Sequence, residues 1–170
     1  MKKPAVPKAK IEAPKRGQAV VRAVGPDDLD DVRAMFREYA QGIMACHCLD
    51  GFQQEVEGLP GEYGEPKGRL LVAAVGRKRA GCVGLRPVKD ETCEMKRLYV
   101  RPGFRGKKIG RALVERALVE AKAAGYSRMV LDTLPIMKEA LSLYRSLGFQ
   151  TTEEYWQNPT PQAICMQRTL

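Results

Sequence analysis

Apolar residues along the chain follow two spacings that alternate. Short β-rich runs at 19–24, 70–75, 81–85, 93–100, 126–132, 150–156 and 163–169 are each closed by glycine, proline or polar turn residues, as strands are. Between them lie stretches of helical period: Leu29, Val32, Phe36 and Tyr39 ahead of Gly42, then Ile109, Leu113 and Ala117 ahead of Gly125. A further one covers 137–147 ahead of Gly148, with a shorter candidate at 52–56. The carboxylates Asp27, Asp28, Asp30 and Asp31 crowd the start of the first helix, where they favour its dipole. Residues 76–79 read as a basic hairpin loop and 87–92 as a polar turn. The strand at 93–100, the helix after it and the strand at 126–132 form a crossover unit, which makes those two strands parallel. The alternation predicts a single α/β domain.

Composition bounds that picture without changing it. At 170 residues, 44% hydrophobic and 29% charged, the chain can bury one substantial core. Its formal charge of +9 is uneven, because residues 1–17 carry six cations against Glu12 together with Pro4, Pro7 and Pro14. Such a segment cannot bury enough apolar surface to offset its ordering entropy, so 1–17 is expected to be a disordered basic arm and 18–170 the domain. A basic tail is a weak sign of nucleic-acid binding, and none is expected here. No apolar run approaches the length of a membrane span. Five cysteines form no disulfide framework, which points to a reducing, cytoplasmic setting. Cys46-His47-Cys48 has no partner pair at zinc spacing, so no metal is expected. Cys93 and Cys165 read as small buried hydrophobes.

The chemistry concentrates at 101–111. The stretch R-P-G-F-R-G-K-K sets Arg101, Arg105, Lys107 and Lys108 in a loop that runs directly into a helix N-terminus, where free N–H groups and the dipole attract phosphate. Gly103, Gly106 and Gly110 would let a ligand approach the backbone. Neither Walker nor dinucleotide spacing is present. Arg105, Ile109 and Gly110 nevertheless resemble the [RQ]-x-x-G-x-[GA] signature of the GNAT N-acetyltransferase superfamily, with Lys108 at its usual middle glycine. Ala140, Leu143, Tyr144, Gly148 and Phe149 resemble the second motif, A-x-x-L-Y-x-x-x-G-F, with Met137 where an asparagine is common.

The resemblance runs from about residue 18 to the C-terminus and implies a mixed, mostly antiparallel sheet of about seven strands. Helices flank that sheet, and a parallel strand pair splays at the cofactor site. It implies acetyl-CoA as cofactor, held by Leu98, Tyr99, Val100, Arg105, Gly106, Lys107, Lys108, Ile109, Gly110 and Arg111, with the carbonyl at Leu98 and the pantetheine arm at Val100. The acceptor is expected to be the primary amine of a small molecule; a protein N-terminus, a lysine, or acyl-CoA binding without turnover are the alternatives, and a homodimer stays open.

An amine must lose a proton before it attacks, and a departing thiolate must gain one. Glu94, four residues before Leu98 and so expected on the same strand face, is the candidate base. Tyr144, which the motif puts at the sulfur, is the candidate acid. The Gly-punctuated stretch between Gly42 and Gly68 reads as a lid over the acceptor. Arg97, Tyr155, Trp156 and Asn158 are expected along the acceptor side, and the guanidinium suggests an acceptor that bears a carboxylate.

Overall fold

A computed structural model of the chain describes residues 18–42, 51–153 and 162–170. The 1–17 arm, the Cys46-His47-Cys48 triplet, Tyr155, Trp156 and Asn158 lie outside the described residues. In chain order the elements are β1 (Val20–Ala23), α1 (Leu29–Gly42), α2 (Phe52–Glu57), β2 (Arg69–Val75), β3 (Lys78–Lys89), β4 (Thr92–Val100), α3 (Ile109–Ala123), β5 (Arg128–Thr133), α4 (Lys138–Ser146), β6 (Gln150–Thr151) and β7 (Ile164–Thr169).

The strands form one seven-stranded sheet in the order β1-β2-β3-β4-β5-β7-β6, antiparallel throughout except for the β4–β5 pair. Helix α1 buries Val32, Met35, Phe36 and Ala40 at helical spacing. Together with Val56 and Tyr63, the first three pack on Leu70, Val72 and Cys82, which are the residues of β2 and β3 that face them. The opposite sheet face carries Leu71, Ala73, Val83, Leu85, Cys93 and Met95, covered by Ile109, Leu113, Val114 and Ala117 of α3 and Leu141 and Tyr144 of α4. Alternation along β2 therefore supplies both cores.

Strand β3 is longer than the sequence pattern suggests. It begins at Lys78, just after a two-residue turn at Gly76 and Arg77, and continues through Pro87, opposite Cys93, to Lys89. Proline is tolerated because β2 stops pairing at Arg69↔Leu85. Beyond that point one edge of β3 is open, and a missing N–H costs no ladder bond there. The turn itself tightens to Asp90 and Glu91, with Asp90 at φ 48°.

Candidate acetyl-transfer site

Strands β4 and β5 pair only at Thr92↔Arg128, Cys93↔Met129 and Glu94↔Val130. Beyond them β4 runs on to Val100 and β5 to Thr133 without pairing to each other, so a wedge-shaped gap opens in the middle of the sheet.

The β4 edge of that gap is set by a bulge. Gly84 pairs with Lys96 and Cys82 with Tyr99, so Val83 alone opposes both Arg97 and Leu98. Arg97 takes φ 58°, a left-handed conformation that costs a non-glycine residue about 1–2 kcal/mol. Past the bulge, the Arg101 N–H donates to the Ala80 carbonyl at 2.9 Å. Hydrogen-bonded pairs alternate along an antiparallel ladder, so Tyr99 also bonds toward β3. Leu98 and Val100 consequently turn their backbone groups into the gap.

The bulge corrects one expectation. Cys93 and Met95 lie in the core under α3, and after the extra residue so do Leu98 and Val100. Glu94 therefore does not share a face with Leu98; it lies on the α1 and α2 side with Lys96 and Tyr99. The Leu98 amide points along the plane of the sheet, however, and a group above that plane can still approach the same spot. Tyr99 stands apart from its neighbours, since its backbone is engaged with Cys82 and its ring packs edge-on against Tyr39 at 6.4 Å.

At the wide end of the gap the loop 101–108 enters α3. The N–H groups of Gly106, Lys107, Lys108, Ile109, Gly110 and Arg111 have no acceptor among the described residues, and Arg105, Lys107 and Lys108 are exposed around them. Such a row of open amides, at a helix N-terminus and ringed by cations, is chemically suited to a diphosphate. Arg105 is braced by its Nε donating to the Val100 carbonyl at 3.1 Å, and Arg111 by donating to Ser146 Oγ at 2.6 Å.

The glycines of this loop serve different ends. Gly106, at φ 75°, needs its freedom, whereas Gly110 makes ordinary contacts with Leu143 of α4 and Val100. A Cβ at Gly103 would meet nothing, so Gly103 is not required there. Lys108, in the place of the usual glycine, adopts the glycine-like φ 59° and so keeps the turn without crowding it. Lys108→Gly is expected to raise stability by about 0.5–1 kcal/mol by relieving that strain. Urea unfolding of the two proteins measures it, and a destabilised variant would show that the lysine side chain itself holds the turn.

Tyr144 is 6% exposed and packs against Phe149 at 5.8 Å. Its hydroxyl has no hydrogen-bond partner among the described residues, which is unusual for a buried polar group. Burial raises its pKa, and Tyr39 and Asp132 raise it further, so the phenol keeps its proton. At the expected asparagine position, Met137 instead accepts a hydrogen bond from Thr133 Oγ1 on its sulfur at 3.7 Å.

Charges line the α2 side of the gap. Glu94, 1% exposed, accepts from Arg86 Nε at 2.6 Å and from Lys96 Nζ at 3.1 Å. The same ammonium lies 3.6 Å from Asp132 on β5, joining the two sides of the gap. Arg97 meets Glu55 of α2 with two bonds, Nε to Oε1 at 3.0 Å and Nη2 to Oε2 at 2.6 Å. Its carboxylate-binding edge is thus occupied by the chain itself, and the argument from Arg97 to a carboxylate-bearing acceptor loses its footing. The sequence pattern offers no role for Asp132 or Glu55, since their partners Lys96 and Arg97 lie on another element.

Cys82 and Cys93 are free and buried, and burial pushes the Cys93 thiol up to about 12, so neither is a nucleophile at neutral pH. Among the described residues there is no group of His, Cys, Asp or Glu that could hold a metal, and no helix long and apolar enough to cross a membrane.

A sequence model described as the acetyltransferase (GNAT) domain matches residues 66–151. An uncharacterized N-acetyltransferase of Schizosaccharomyces pombe is 42% identical, over 83% of this chain and 88% of its own length. Another of Dictyostelium discoideum is 31% identical over 81% of this chain and 92% of its own. The PaiA N-acetyltransferase of Thermoplasma acidophilum, crystallised with coenzyme A, superposes with a TM-score of 0.73 over 90% of this chain and 99% of its own at 20% identity, which shows a common fold. The splayed parallel pair, the unconsumed amides and a family match that spans both motifs converge, and the chain belongs to the GNAT acetyltransferases, acyltransferases that depend on acetyl-CoA.

Proposed function

We propose that the protein transfers the acetyl group to the primary amine of a small molecule by direct attack. Acetyl-CoA bound in the gap supplies an activated thioester. The amides from Gly106 to Arg111, with Arg105, Lys107 and Lys108, hold its diphosphate, and Val100 lines the path of the pantetheine arm. The Leu98 N–H donates to the carbonyl oxygen and stabilises charge that develops there. Glu94 accepts the amine's proton, directly or through water, as the new C–N bond forms. Tyr144 gives its proton to the sulfur as the C–S bond breaks.

The observation that carries the acceptor class is a cavity of about 390 Å³ between α2 and β3, lined among others by Glu55, Glu62, Tyr63 and Arg86. That volume is in the range of small-molecule sites, and Glu62 in its wall, 68% exposed beside Arg86 at 2.8 Å, suits a protonated amine. Arg86 in its wall also bonds to Glu94 at 2.6 Å, which ties the cavity to the candidate base. A reducing, cytoplasmic setting belongs to the same reading, on five cysteines whose spacing forms no disulfide framework.

The test is CoA release by the full chain, offered acetyl-CoA with a panel of small primary amines and with peptides bearing a free N-terminus or a lysine. Small amines are expected to give a kcat/KM at least about tenfold above the peptides. A preference for peptides would transfer the reading to a protein acetyltransferase. Binding of acetyl-CoA without turnover of any amine would reduce it to a carrier module.

A further inference from the structure

Arg97 is the strained residue of β4, and its side chain is almost wholly buried, 8% exposed, for reasons the transfer chemistry does not use. The guanidinium lies between the Phe52 ring at 5.2 Å and the Tyr39 ring at 5.8 Å, with its edge on Glu55. Glu55 is fixed in turn, because the Tyr63 hydroxyl donates to its Oε1 at 2.5 Å. The Tyr63 ring rests on Gly84, where a Cβ would come within 2.6 Å of it. Gly84 pairs with Lys96, the residue just before Arg97. The contacts thus leave the bulge, pass through α2 and return to the same strand pair one residue away.

We propose that Glu55 and Arg97 form a latch that holds the β4 bulge, so that the Leu98 amide, and not that of Tyr99, faces the gap. The proposal rests on the reading of Leu98 as the carbonyl donor. Its logic is that of strand register: an antiparallel strand turns successive amides to opposite sides, and a bulge adds one residue to the count. If Arg97 relaxes to an extended conformation the bulge disappears, Leu98 bonds to β3 and its N–H leaves the gap. A bare left-handed residue suits glycine, and arginine stands there because its side chain is tied down. Arg97 is thereby a positioning residue. The latch also makes α2, which walls the acceptor cavity, a part of the apparatus that aims the donor.

Four variants test this: R97A, R97G, E55A and the double variant E55A/R97G. R97A is expected to lower kcat about a hundredfold, the order of a lost oxyanion donor, and to leave the acetyl-CoA KM within about threefold. R97G should recover at least about tenfold of that loss, since glycine takes the left-handed conformation unaided. E55A strands a buried guanidinium and should resemble R97A, whereas adding R97G to it should restore activity rather than reduce it. Equal damage in R97A and R97G, with a raised amine KM, would overturn the latch and make Arg97 an acceptor contact. Amide hydrogen exchange, followed by NMR without substrate, decides the matter independently of turnover. Leu98 should exchange freely in the wild type and R97G and become protected in R97A and E55A; the same Leu98 exchange in all of them would refute the latch even in an enzyme that acetylates no amine tried. Absence of turnover in the wild type, with the expected exchange pattern, would instead sink the acceptor reading alone.

Discussion

Tyr144→Phe is expected to lower kcat about 10²- to 10³-fold and to leave the acetyl-CoA KM within about threefold. The ring stays, so its packing on Phe149 and in the α3–α4 core stays with it. What is lost is a hydroxyl that no described residue engages, so no hydrogen bond among those residues goes with it. Removing a buried unsatisfied group relieves about 1–3 kcal/mol, and the variant should be at least as stable as the wild type. A drop in activity together with unchanged or higher stability is hard to reach by damage to structure, which makes the pair of measurements decisive. The wild-type pH profile carries the same signature. A free phenol titrates near 10, and burial moves this one higher, so the wild-type rate should not fall through loss of the acid anywhere below about pH 10. Steady-state CoA release and urea unfolding on both proteins check this. A variant that retains wild-type kcat would remove Tyr144 from the chemistry and leave it a core aromatic.

What the sequence disclosed and what it hid divide along physical lines. The helical face of Ile109, Leu113 and Ala117, the β-rich run before it and the two motifs are local patterns, and all lie where their spacing indicated. The family and its sheet followed from them. Residue type is a poor guide to the bulge, because its left-handed residue is an arginine instead of a glycine or asparagine, and the shift of face between Glu94 and Leu98 follows from the bulge. For Arg97 the deciding partner is Glu55, 42 positions away, and no short-range rule reaches it. The extension of β3 past Pro87 depends on where a neighbouring strand stops, which is again not written near the proline. Lys96 and Asp132 were invisible for the same reason: their meeting across the gap exists only once β4 and β5 are side by side and then part.

Glu94→Gln is expected to lower kcat/KM about 10²- to 10³-fold at pH 7, with the deficit closing as the pH rises. The sign follows from the acceptor. A free amine has a pKa near 10, so at neutral pH nearly all of it is protonated and the base must take a proton in every turnover. As the pH approaches the amine's own pKa the solution does this work, and the ratio of wild type to variant should shrink toward a few-fold. Glutamine keeps the size of the side chain and an oxygen for Arg86. Both cations retain a second carboxylate, Glu62 at 2.8 Å from Arg86 and Asp132 at 3.6 Å from Lys96, so the stability cost should stay near the 1–2 kcal/mol of one charged hydrogen bond. Removing the charge by Glu94→Ala would empty a 1% exposed site and confuse the two effects, which is why the isostere is the informative change. The competing carboxylate is Asp132. Its side chain is 24% exposed against 2% for Glu94, it reaches the same ammonium, and its charge is felt at Tyr144. Rate profiles of Glu94→Gln and Asp132→Asn from pH 6 to about 10 separate them, since only the variant that lacks the base should regain activity with alkali. A flat deficit in Glu94→Gln, alongside an alkaline recovery in Asp132→Asn, would move the base across the gap from β4 to β5.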